Sequence, residues 1–171
     1  MKRRFFVILL CCSITVVFNQ LWAGPVDPVD PNTRCAVCGM MVAKYPPWVT
    51  QLHAKGEKPV LFDGVKDMMA YYFNPGSYGA KGNLSAAELW VKDYYTLQWL
   101  DGRAAFYVVG SDVMGPMGDE LVPFDSLEAA ENFFKDHKGT KILRFDEIDA
   151  ALIMAMKKKH MLKMKKKNMT K

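Results

Sequence analysis

Phe62-Asp63-Gly64-Val65-Lys66-Asp67-Met68-Met69-Ala70-Tyr71-Tyr72 is answered 62 residues later by Phe124-Asp125-Ser126-Leu127-Glu128-Ala129-Ala130-Glu131-Asn132-Phe133-Phe134. In the first stretch Val65, Met68, Met69 and Tyr72 recur at helical spacing, which predicts a helix over 64–73. Asn74-Pro75-Gly76 ends it. At the same offset Met68, Tyr71 and Tyr72 fall on Ala130, Phe133 and Phe134, in a second helix over 126–137 capped by Asp125 or Ser126. The shared Phe-Asp start and the matching apolar positions mark an internal duplication.

Working outward, Val49 to His53 and Pro59 to Phe62 alternate as strands before the first helix, and Glu88 to Thr96 alternates after it. Around the second helix, Arg103 to Val109, Leu121 to Phe124 and Lys141 to Phe145 read as strands. Ser111 to Asp119 reads as a Gly/Pro/Met turn, and the chain is helical from Asp146 onward. Each copy is therefore strand, strand, helix, strand. Four such elements bury a poor core alone, whereas two packed copies bury a good one. The expected fold is α+β with two similar ββαβ halves, over residues 34–100 and 101–150, followed by a helical basic tail over 151–171.

The composition is that of a globular chain: 171 residues, 50% hydrophobic, 24% charged, net charge +5. Residues 1–23 resemble a secretory signal, with Lys2, Arg3 and Arg4 before an apolar run from Phe5 to Phe18 and a cleavage site at Leu21-Trp22-Ala23. That run is short for a bilayer span. Large leucines at positions 9 and 10 argue against lipid attachment at Cys11 or Cys12. Gly24 to Thr33 is a Pro- and Asp-containing linker, expected to be extended and poorly ordered. Export makes nucleic acid an improbable partner despite the basic balance. From Lys157 to Lys171 the chain has eight Lys and no acid, a solvated end that can also steer toward an acidic partner or an anionic membrane surface.

Cleavage after Ala23 would leave two cysteines, in Arg34-Cys35-Ala36-Val37-Cys38-Gly39-Met40-Met41. In an exported chain such a pair has three readings: a structural disulfide, a redox-active pair, or a soft-metal site. Four-ligand zinc would want a further Cys or His pair, and none stands at suitable spacing. A thioredoxin-like pair should follow a strand and open a helix, and Asp30-Pro31-Asn32-Thr33 before it is no strand. Methionine favours the metal. Met40 and Met41 follow the second thiol, and Met114 and Met117 lie in Met114-Gly115-Pro116-Met117-Gly118, where packing gives little reason for a thioether. Thiolate plus thioether selects Cu(I) over hard divalent ions. Met68 and Met69 read as core filler. His53 on a short strand reads as structural, and His160, Met161 and Met164 form a further soft cluster in the tail.

These motifs carry a resemblance. Cys35-Ala36-Val37-Cys38-Gly39-Met40, Phe62-Asp63-Gly64, the block from Val109 to Gly118 and Phe145-Asp146-Glu147 together resemble the NosL-type proteins, exported copper chaperones for nitrous oxide reductase maturation. The resemblance covers most of the mature chain. It implies two ββαβ halves related to the organomercurial lyase fold, and one Cu(I) bound by a cysteine and methionines. Some members keep only the second cysteine followed by x-Met, which transfers to Cys38 and Met40; the loop methionine transfers to Met117. Cys35 becomes an auxiliary ligand or a redox partner, with Met41 and Met114 as further candidates. The implied partners are apo nitrous oxide reductase and its membrane copper-transport complex. The expectation is a periplasmic metallochaperone without catalysis. A thiol-disulfide oxidoreductase using Cys35 and Cys38, and a general copper scavenger, are the alternatives.

Overall fold

Seven strands and three α-helices follow the duplicated order in a computed structural model that describes residues 24–80 and 82–169. The signal segment, with Cys11 and Cys12, lies outside the described residues. The first half comprises β1 (Thr50–His53), β2 (Val60–Phe62), α1 (Val65–Phe73), β3 (Glu88–Lys92) and β4 (Trp99–Asp101). The second comprises β5 (Phe106–Gly115), β6 (Gly118–Phe124), α2 (Leu127–Asp136) and β7 (Lys141–Arg144). Helix α3 (Ala150–Met169) closes the chain.

Both sheets are antiparallel and topologically alike. The first has the order β2-β1-β3-β4 and the second β6-β5-β7, so in each the first strand lies between the second and the third. This is the repeat expected from the sequence, with β4 added. Strand β3 stops at Lys92 because the buried Asp93 carboxylate accepts hydrogen bonds from the amides of Tyr95 and Thr96 and from the Thr96 hydroxyl. That local turn ends the alternation expected to run to Thr96 and returns the chain as β4. The segment expected as a loose turn over 111–119 is instead a hairpin. Strand β5 runs to Gly115, β6 starts at Gly118, and only Pro116 and Met117 connect them, after a register shift between Val109 and Met114.

One core joins the halves. Phe62, Met68, Met69 and Leu89 from the first pack with Tyr107, Leu121, Ile153 and Met156 from the second half and α3. Val108, Val122, Phe124, Ala130 and Phe133 form a second cluster beneath α2. Ser126 caps α2 by accepting from the Ala129 amide at 3.2 Å. Helix α1 is not amphipathic: Val65 through Tyr71 are all buried, Lys66 and Asp67 included, because β1, β2, β6 and α3 surround it.

Two expectations of disorder change. The linker docks on the first sheet, since the amide of the fully buried Gln51 exchanges two 2.8 Å hydrogen bonds with the backbone of Val26. Asp27 also accepts from the Trp99 indole. The start of the basic tail is docked as well, with Ile153 and Met156 in the core and Lys157 and His160 half-buried. No helix among the described residues is long and apolar enough to cross a membrane.

Candidate metal centre

Residues 34–41 fold back on themselves. Arg34 and Met41 form a β-bridge, the Cys35 amide donates to the Met40 carbonyl at 2.8 Å, and the Gly39 amide donates to the Cys35 carbonyl at 2.9 Å. The Ala36 amide donates to the Leu61 carbonyl at 3.3 Å, pinning this loop to β2. Two residues beyond Leu61 the chain reaches Asp63, and one helical turn later Asp67. Both thiols therefore face both carboxylates. One donor atom from each of Cys35, Cys38, Asp63 and Asp67 lies within 4.8 Å of all the others, and no comparable group occurs among the described residues.

The contacts are specific. Cys38 Sγ lies 3.3 Å from each Asp63 oxygen, and Cys35 Sγ lies 3.6 Å from Asp67 Oδ2. Cys35 and both aspartates are at most 3% exposed, while Cys38 is half-buried. Both cysteines are free thiols. Burial, and then the Asp63 carboxylate, push the Cys35 thiol up to about 11. Burial raises Cys38 further still, against the opposing pull of the Met40 amide. Burial also raises the Asp67 carboxyl, and Lys157 draws it back down from 3.9 Å. The thiols thus carry protons at neutral pH, and a metal ion must displace them.

The hairpin approaches the same turn of α1. The buried Lys66 ammonium donates to the carbonyls of Met117 and Asp119 at 2.7 and 2.5 Å. The Lys66 amide donates to Glu120 Oε1 at 2.6 Å. A Cβ on Gly64 would collide with the Glu120 carboxylate, so glycine in Phe62-Asp63-Gly64 permits this close approach. Helix α3 closes a second side through a Lys159–Asp119 ion pair of 2.5 Å and through His160, whose Nδ1 lies 2.8 Å from where a Cβ on Gly118 would stand.

Of the residues expected at the site, Cys35 and Cys38 converge. Met40 and Met41 are half-buried in the thiol loop, and Met117 sits half-buried at the hairpin tip tied to α1. Met114 goes elsewhere: it is 48% exposed and lines a groove with Trp48, Tyr94, Tyr95 and Pro123. Beyond the register shift it pairs with Asp119 next to the hairpin end. His53 bonds to Gln51 on β1 and is not part of the cluster. The Met164 side chain lies outside the described residues. Asp63 and Asp67 were not expected at the site, although their i, i+4 spacing around a glycine was visible.

The chain is similar in sequence and fold to proteins named for copper. The copper-binding lipoprotein NosL of Stutzerimonas stutzeri is 31% identical over 131 residues, 71% of this chain and 65% of that protein. The chain thus spans just under two thirds of that relative. The copper-binding lipoprotein NosL of Achromobacter cycloclastes is 27% identical over 162 residues, 90% of this chain and 83% of that protein. The crystal structure of the copper chaperone NosL from Shewanella denitrificans superposes with a TM-score of 0.63 at 27% identity, covering 74% of this chain and 97% of that one. The NosL family model matches residues 25–153, a range that holds the thiol loop, both sheets and the methionine hairpin and leaves out most of α3, and this chain belongs to the NosL family.

Proposed function

We propose that this protein is a periplasmic Cu(I)-binding metallochaperone that serves nitrous oxide reductase maturation. The observation that carries the copper reading is the convergence of Cys35 and Cys38 in a cluster with one half-buried thiol, at the start of the helix to which Lys66 ties the hairpin carrying Met117. The relatives named as copper-binding support the metal. Cu(I) follows from the donors: thiolates and thioethers hold soft cations, and a thioether binds without losing a proton. The proposed ligands are Cys38, Met40 and Met117, with Cys35 as an auxiliary thiolate and Met41 adjacent. Met114, in its separate groove, is left out.

Delivery needs an exchangeable ion, and the half-buried Cys38 is where an incoming ligand would meet it. The acceptor is apo nitrous oxide reductase or its membrane copper-transport complex, as the family resemblance implies. A Cu(I) competition titration of reduced protein against a coloured chelator tests the site. One tight equivalent, weakened at least about 10-fold in both Cys38→Ala and Met117→Ala, supports it. Wild-type affinity in Cys38→Ala overturns it.

The thiol-disulfide oxidoreductase reading fits less well. Such enzymes depress a thiol pKa to hold a reactive thiolate, whereas both thiols here are raised by burial beside carboxylates. The proposed mature chain begins at Gly24. The relatives named as lipoproteins make a lipid adduct on Cys11 or Cys12 the result that would overturn this, and mass spectrometry of the exported protein reads it directly.

A further inference from the structure

We propose that Lys66 is a positioning residue for the metal centre, holding the methionine hairpin over the first turn of α1 so that Met117 meets the same ion as the thiols. The inference rests on the copper reading above and extends it to a residue that binds no metal.

Lys66 is 2% exposed, and a buried ammonium is costly unless its hydrogens are satisfied. Here they go to the hairpin's own backbone, at the Met117 and Asp119 carbonyls. The amide of the same residue holds Glu120 Oε1, which also accepts from the Leu121 amide at 3.0 Å. One side chain and one amide thus clamp three hairpin residues, Met117, Asp119 and Glu120, onto the helix turn flanked by Asp63 and Asp67. A residue needed for packing alone would be apolar in so enclosed a place. The ammonium binds the carbonyl of the one methionine at the hairpin tip; without it the Lys66 amide still holds Glu120, but the Met117 carbonyl loses this contact with α1.

The test is a double-mutant cycle on Cu(I) affinity in the full chain, with Lys66→Leu and Met117→Ala. Leucine avoids adding a new thioether. Lys66→Leu alone should weaken Cu(I) about 10-fold, the usual scale for residues that orient metal ligands. In the Lys66→Leu background, Met117→Ala should cost less than about 3-fold more, against at least about 10-fold in the wild type. X-ray absorption should show one sulfur fewer around Cu(I) in Lys66→Leu, a change that general destabilisation does not produce. If Lys66→Leu strands the Glu120 charge and does not fold, the cycle runs in Lys66→Leu/Glu120→Gln. Costs that multiply, with an unchanged sulfur count, overturn the role of Lys66 alone. No effect of Met117→Ala in the wild type overturns the ligand assignment itself, and this role with it.

Discussion

Replacing Asp63 by Asn should tighten Cu(I) binding at pH 7, although it removes a negative charge beside a cation. Cys38 donates to both Asp63 oxygens, and the same carboxylate helps push Cys35 from 9.0 up to about 11. Each thiolate ligand must lose its proton, so affinity falls about tenfold per thiol for every pH unit below its pKa. For Cys35 alone, the rise from 9.0 to about 11 weakens binding at pH 7 by about 100-fold. Burial, the largest cause, survives the substitution; the carboxylate's share does not, and the Asn amide can donate to a thiolate. The expected gain at pH 7 is roughly 10-fold, with faster alkylation of the free thiols. The assay is chelator competition from pH 6 to 8, corrected for the chelator's own protonation. In the wild type, affinity should rise with pH by about 100-fold per unit if both thiols bind as thiolates, and about 10-fold if one does. Weaker Cu(I) binding in Asp63→Asn refutes the reasoning, because the carboxylate would then be holding the metal rather than the proton.

Three further outcomes follow from the same contacts. Burial pushes the Glu120 carboxyl up to about 7, so its favourable contribution to stability is complete below about 4.5 and is lost as pH rises through 7; Glu120→Gln, which keeps the acceptor for the Lys66 and Leu121 amides, should gain in Tm over wild type above pH 7 and match it near pH 4. Lys157→Ala removes the cation that lowers Asp67, so the Asp67 carboxyl, followed by its side-chain carbon shift in NMR, should titrate at higher pH than in the wild type. Phe133→Ala empties a fully buried position against Tyr94 and Phe124, and should cost about 3–5 kcal/mol in denaturant unfolding while leaving Cu(I) affinity of the folded protein unchanged.

Much of the fold could be read from the chain because its signals are local. Apolar spacing marks α1 and α2, and the Phe-Asp recurrence marks the duplication that the two sheets share. The errors also have local causes. Asp93 turns the chain through bonds to its own neighbours, so β3 ends early and β4 goes unread. Gly115, Pro116 and Gly118 read as a loop by composition, whereas a two-residue hairpin needs such residues between paired strands.

The carboxylates and Lys66 are harder, since charged residues on a helix default to a solvated face. Their burial depends on β6 and α3 covering α1, and both are far away in sequence. The duplication itself nevertheless distinguishes them. At the equivalent positions of α2, Lys66 is matched by Glu128, which is exposed, and Asp67 by Ala129, which is half-buried. The second helix, lying over its own sheet, carries its charges in water as an amphipathic helix should. The first keeps Lys66 and Asp67 inside, at a cost that packing does not require. Where two copies of one motif differ in this way, the copy that buries its charges is the one whose charges have partners to hold: here the hairpin backbone for Lys66, and the two thiols for Asp63 and Asp67.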